Sequence, residues 1–314
     1  MRDQDHTKLP EGRDLIFLFI GIIGIGTSGP LIALSAMPVL TLVFWRNLGG
    51  SMVIAPFAWR SLRATLLNSD DGASDQLHRG LRWSIVAGIA LAAHFAFFFT
   101  SMRLTSVAAG TALTALQPLF AAFFVIRLGG HIPRRAWIGM IISFIGLLVI
   151  TGVDLTISLR AFAGDIAAII CAALAAIYVI LGSRAQQYVS TSLYTATCYF
   201  TCSITALIAA IISGQQLFGF KAREWWLLLG LIAGAQILGH TMFNLTLRRV
   251  SPAIVSLIVF FEVPVSALLG YWWIGQLPPS GTIPGVILLL LGCAIFVLRN
   301  RADNSLEEVK KQTE

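Results

Sequence analysis

Apolar stretches of about 20 residues, separated by short polar joints, constrain this chain more than any other feature. They run near 14–36, 39–59, 82–101, 106–126, 136–152, 163–182, 192–213, 225–247, 252–273 and 283–299. A helix of that length satisfies its own backbone hydrogen bonds inside hydrocarbon, which a loop or open strand cannot do. Composition agrees, with 57% hydrophobic and 12% charged residues and a mean hydropathy of +0.81. A soluble domain carries about a quarter charged residues, so most of this surface is expected to face lipid. The expected fold class is an all-α integral membrane protein with ten transmembrane helices. The polar segment 1–13 leads into the first apolar run without a small-residue cleavage site and reads as preceding a retained span. Only the polar stretch from Ser61 to Leu81 is long; the other joints are short, and no soluble domain is inserted.

Charge sets the orientation. The net charge of +7 does not point to nucleic acid, because the basic residues sit at span ends rather than in one patch. With the N-terminus placed inside, 17 of the 22 Lys and Arg residues fall on inner segments and 4 on outer ones, Arg46 lying within a span. That bias places both termini in the cytoplasm of a multi-pass protein of the cell membrane. Cys171, Cys198, Cys202 and Cys293 lie in apolar segments without metal spacing and read as small buried hydrophobes.

The chain also matches itself. A gap-free shift of 146 positions aligns residues 94–146 with 240–292 and gives 11 identities in 53 positions. Among them are His94/His240, Arg103/Arg249, Pro118/Pro264, Gly129/Gly275, Pro133/Pro279, Gly139/Gly285 and Gly146/Gly292. Pro and Gly govern backbone geometry, so their coincidence weighs more than the count. The unit is five spans, an odd number, so its two copies enter the membrane from opposite sides. The expected domains are a cytoplasmic segment 1–13, repeats 14–152 and 163–299, and a cytoplasmic tail 300–314. An inverted five-plus-five repeat with a site between its halves is a transporter architecture.

Pro118 followed by RLGGHIPRRAWIGMIISFIG, and Pro264 followed by WIGQLPPSGTIPGVILLLLG, resemble the two EamA domains of the drug/metabolite transporter superfamily. The resemblance covers about residues 14–299. It implies ten helices, inverted repeats, cytoplasmic termini, and transport of small metabolites, commonly amino acids or derivatives and often outward. The family usually carries Glu after the glycine that closes the fourth and ninth spans; this chain has Gly130 and Gln276 there.

Candidate site residues follow from the cost of polar groups in a membrane. Glu262 is the one carboxylate deep in a span, on the ninth, and Pro264 should free backbone carbonyl beside it. It suits proton coupling or pairing with a substrate amine. Arg46 either snorkels outward or faces a cavity. His94 and His240 occupy matching places in the repeats. Gln236, His240 and Asn244 make one polar stripe at i, i+4, i+8. Thr111, Thr114 and Gln117 make a weaker stripe before Pro118, and Tyr199 and Trp45 could wall an amphipathic solute. Asp14 and Asp165 sit at span starts and read as solvated helix ends. The Gly21, Gly24, Gly26 and Gly29 series before Pro30 reads as helix packing or a break, and Gly230 with Gly234 as packing. No catalytic motif, P-loop or cofactor signature appears, so an intramembrane enzyme is the weaker reading and a non-transporting partner protein the other. The expected partners are the bilayer and a small-molecule substrate, with proton coupling available.

Overall fold

The computed structural model describes residues 12–67, 73–127, 136–240 and 260–313. Among them the secondary structure is helical: α1 (Gly12–Gly26), α2 (Ser28–Leu34), α3 (Val39–Leu67), α4 (Ala73–Leu104), α5 (Val107–Thr114), α6 (Gln117–Arg127), α7 (Ala136–Ile157), α8 (Leu159–Ala185), α9 (Thr191–Ile212), α10 (Ala222–Gly230), α11 (Leu231–His240), α12 (Glu262–Ile274) and α13 (Thr282–Thr313). Among the described residues, seven stretches are long and apolar enough to cross a membrane, and Thr282–Leu298 is a shorter apolar helix. The expected spans 225–247 and 252–273 lie partly outside the described residues, as does Gly130.

Several helices depart from straight rods for visible reasons. The first span breaks at Thr27, whose Oγ1 donates to the Gly24 carbonyl at 2.7 Å. The fourth breaks between α5 and α6, one residue before Gln117 and two before Pro118, which has no N–H to give. Leu231–His240 is wound as a π-helix, which widens the turn against the α-helical register assumed for the polar stripe. The stretch 61–81, expected as a polar connection, is largely helix. α3 runs to Leu67 and α4 starts at Ala73. Leu, Ala and Arg favour helix there, and an Arg79–Asp75 pair at 3.0 Å, one turn apart, supports the extension into water.

Helices pair antiparallel and approach closely at small residues. On α3 and α9, Ser203 Oγ donates to Phe44 O at 3.2 Å and Ser51 Oγ to Ala196 O at 3.5 Å. On α4 and α8, Gly164 sits so near that a Cβ would lie 2.6 Å from the Thr105 amide nitrogen. α1 meets α11, where a Cβ on Gly24 would lie 2.8 Å from both Gly234 O and Gly239 N. Gly26 and Gly29 press instead on Val265 and Ser266 of α12. Gly24, Gly26 and Gly29 therefore pack, and the break at Thr27 accompanies them. α7 and α13 form the tightest seam: a Cβ on Gly139 would lie 2.5 Å from Gly292 O, and one on Gly146 2.7 Å from Gly285 O. The outward face of α7 bears exposed Ile138, Ile141 and Phe144, a composition suited to lipid.

Gly146→Leu drives a side chain into the Leu289 backbone, whose nitrogen would lie 2.4 Å from the first added carbon. Overpacking of this kind costs about 1–3 kcal/mol or more, because backbone cannot retreat as a side-chain tip can. Thermal unfolding of the detergent-purified variant should come at a clearly lower temperature. Gly152→Ala, where nothing lies within 4 Å, should melt at the wild-type temperature or slightly above. Equal melting of the two variants would mean the seam does not hold the fold.

Candidate functional site

A cavity of about 210 Å³ opens between the fourth span and the start of α12. Phe98, Thr111, Thr114, Gln117, Pro118 and Glu262 are among its lining residues. The weak stripe on the fourth helix and the ninth-span carboxylate, far apart in sequence, are thus brought together. Glu262 stands in the first turn of α12 and is partly buried, not in mid-helix as its position in the apolar run suggests. Pro264 explains the shift: it tolerates a first turn and breaks an interior one. The Phe260 carbonyl, expected to be freed beside Glu262, accepts from Val263 N at 3.2 Å, so it is not left open. Thr111 and Thr114 donate their hydroxyls back to Val107 O and Gly110 O, leaving oxygen lone pairs for the cavity.

Arg46 is 2% exposed. It does not snorkel to a surface. Its guanidinium carbon lies 4.4 Å from the centre of the Phe95 ring and 5.6 Å from that of Phe99. Its Nε and Nη1 meet no acceptor. A cation at such depth costs about 2.5–3.5 kcal/mol even on lenient insertion scales. Cation–π contact returns about 0.5–2 kcal/mol. Tyr199 and Cys202 lie within electrostatic reach, and Tyr199 also neighbours Gln236. Gln236 is buried against Gly50 and its amide atoms find no partner.

The remaining sequence candidates divide. His94 is a satisfied core residue: Nδ1 lies 3.1 Å from Cys171 O, and the ring stacks on Phe98 with centroids 6.2 Å apart. Trp45 donates Nε1–H to Leu217 O at 3.0 Å and packs against Phe218 and Trp225, so it closes one end of the bundle. The side chain of His240 and the whole of Asn244 lie outside the described residues, as does the side chain of Asp14. The four cysteines are buried and free. Gln276, where the family resemblance leads one to expect Glu, accepts from the Val107 amide at 3.0 Å and caps α5.

Two features escaped the sequence reading. Asp165 is 0% exposed, not a solvated helix end. It faces Asp154, itself buried, whose Oδ2 accepts from Thr105 Oγ1 at 2.6 Å. The two carboxylates flank one short joint, 157–159, and that hairpin spacing was the available signal. The second feature is a latch at the same end of the bundle. Glu224 Oε2 accepts from Ser35 Oγ at 2.9 Å and from the Ala36 amide at 2.7 Å, while Oε1 pairs with Arg223 at 3.1 Å. Arg103 donates to Ser35 O and Met37 O from the other side. Glu224 belongs to a helix start beyond the apolar runs, where sequence gave no reason to single it out.

Comparison with known proteins agrees with this architecture. The EamA-like transporter family model matches residues 12–152 and 162–298. The pseudopaline exporter CntI of Pseudomonas aeruginosa is 22% identical over 264 residues, 83% of this chain and 87% of that protein. The uncharacterized transporter YxxF of Bacillus subtilis is 24% identical over 313 residues, 96% of this chain and 94% of that one. A solved crystal structure, 20% identical, superposes with a TM-score of 0.61 over 93% of this chain and 99% of its own, which shows a shared fold. Two family matches that together span nearly the whole sequence, on a multi-pass helical bundle, place the chain in the EamA-like transporter family.

Proposed function

We propose that this transporter moves a small amphipathic metabolite, of amino-acid type, by alternating access, as a secondary transporter or facilitated exporter. The observation that carries this reading is the cavity joining Glu262 to Thr111, Thr114 and Gln117, at the meeting of the two family matches. Apolar wall, hydroxyls and one carboxylate suit a solute with both a hydrocarbon part and a charged group. The similarity to a protein named as an exporter favours outward movement in the cell membrane. An intramembrane enzyme would need nucleophile, base or metal ligands convergent at one point, and the described residues lining the Glu262 cavity include no such set.

Ten helices in two inverted five-helix repeats, 14–152 and 163–299, with segments 1–13 and 300–314 in the cytoplasm, complete the proposal. The α7–α13 seam supports it. Under the shift of 146, Gly139 corresponds to Gly285 and Gly146 to Gly292, and the contacts cross over: Gly139 with Gly292, Gly146 with Gly285. Ser143 corresponds to Leu289, and Ser143 Oγ donates to Leu289 O at 3.2 Å, as a residue on a two-fold axis would. In this scheme the Glu224 latch closes the outer end. A second cavity of about 210 Å³, lined by Tyr178, Gln186, Thr191, Tyr194 and Tyr199, lies toward the inner end. His94, His240, Gln236, Asn244, Tyr199 and Trp45 then stand on or next to the path, and Glu262 serves as proton-coupling group or as counter-ion to a substrate amine.

Glu262→Gln retains shape and hydrogen bonding but removes the charge. Efflux of amino acids from loaded proteoliposomes should fall at least about tenfold, equivalent to roughly 1.4 kcal/mol, with expression and melting near normal. Wild-type efflux with unchanged pH dependence would make Glu262 structural.

Glu224→Ala removes one carboxylate from three partners and should free the outer end. In a protein stripped of native cysteines, a cysteine replacing Gln236 should then react several-fold faster with an impermeant thiol reagent added outside. An unchanged rate would mean that Glu224 is no latch. A reporter fused after Glu314 should be active in the cytoplasm; activity outside would give an odd span count and end the inverted-repeat proposal.

A further inference from the structure

We infer that Arg46 binds a carboxylate of the transported solute, so that the substrate class is carboxylate-bearing and its acid end docks against α3. The inference rests on the transport reading above and adds to it which chemical group is recognised and where. Among the described residues Arg46 has no hydrogen-bond or ion-pair partner that accounts for it. Among the described residues no carboxylate lies within salt-bridge distance, and Nε and Nη1 are buried without acceptors. The side chain spends its length on two phenylalanine faces, which attract a cation but accept no N–H bond. A purely structural arginine at this depth would be expected to pair, because leaving its donors empty forfeits the hydration it gave up.

Tyr199, which carries a hydroxyl, lies within electrostatic reach of Arg46. Gln236 packs on Gly50, one helical turn along α3 from Arg46, and neighbours Tyr199. Two nitrogens of the Arg46 guanidinium group thus stay buried with no acceptor among the described residues. Glu262 is the carboxylate near enough to act on the guanidinium through the interior, yet it is not in contact with it. A solute with an acid at one end and an amine at the other would complete both: carboxylate to Arg46, ammonium to Glu262. Guanidinium matches a carboxylate's planar pair of oxygens better than an ammonium would, so Lys is a poor substitute.

Proteoliposomes loaded with the twenty proteinogenic amino acids are compared with proteoliposomes loaded with their carboxamides, efflux being followed by mass spectrometry. Wild type should release acids and retain amides at least tenfold better. Arg46→Gln should abolish that preference and lower acid efflux at least tenfold, with Arg46→Lys intermediate. Release of amides as fast as acids, or wild-type efflux from Arg46→Gln, overturns the Arg46 assignment while leaving transport intact. No efflux of either mixture overturns the transport reading and this one together. A second measurement needs no solute: Arg46→Met in detergent should melt at or above the wild-type temperature, since it removes an uncompensated charge and keeps the volume. A lower melting temperature for Arg46→Met would make the arginine a structural strut and defeat the proposal.

Discussion

Close backbone approach at glycine is the constraint on which this structure depends. Within a bilayer, lipid tails are as apolar as leucine, so hydrophobicity does not by itself press helices together. What holds them is contact distance, and glycine grants it by leaving out Cβ. At the α7–α13 seam a Cβ on Gly139 would stand 2.4 Å from the Phe296 nitrogen, closer than real Cβ atoms come. The same solution recurs between α1 and α11 at Gly24, Gly234 and Gly239, and between α4 and α8 at Gly164. Serine and threonine hydroxyls then bond across or along the helices, as Ser143 and Ser203 do.

That packing leaves room for a functional interior. α5 and α6 part at Ala115 and Leu116, and α12 begins at Glu262, so interrupted helices meet where polar groups must be tolerated. Irregular backbone at membrane depth persists only where protein or a wet cavity satisfies it. The Glu262 cavity answers this requirement, and so does Gln276, which caps α5 from the far end of α12. Arg46 lies within electrostatic reach of Glu262 without an ion pair between them.

The apolar periodicity, the charge bias and the Pro and Gly coincidences made the class of fold and the family legible in the sequence. Those signals are local or repetitive, and a bilayer imposes them on any chain that crosses it many times. Glu262, Thr111, Thr114 and Gln117 were legible for the same reason, since polar groups within apolar runs are rare and costly. Sequence could not say which of them face one another. It matched His94 to His240 in the repeat, and only the fold shows His94 at the Cys171 carbonyl on α8.

The sequence by itself determined that this chain is a multi-pass helical membrane protein of the EamA type, because burial in lipid is decided residue by residue along each span. Only the tertiary structure decided that Arg46 is sealed over Phe95 and Phe99, that Asp165 is buried facing Asp154, and that Glu224 latches Ser35 and Ala36. Each of these depends on side chains 11 to 189 positions apart meeting at one place. Helix periodicity fixes which face a residue occupies; it carries no information about which other helix comes to cover that face.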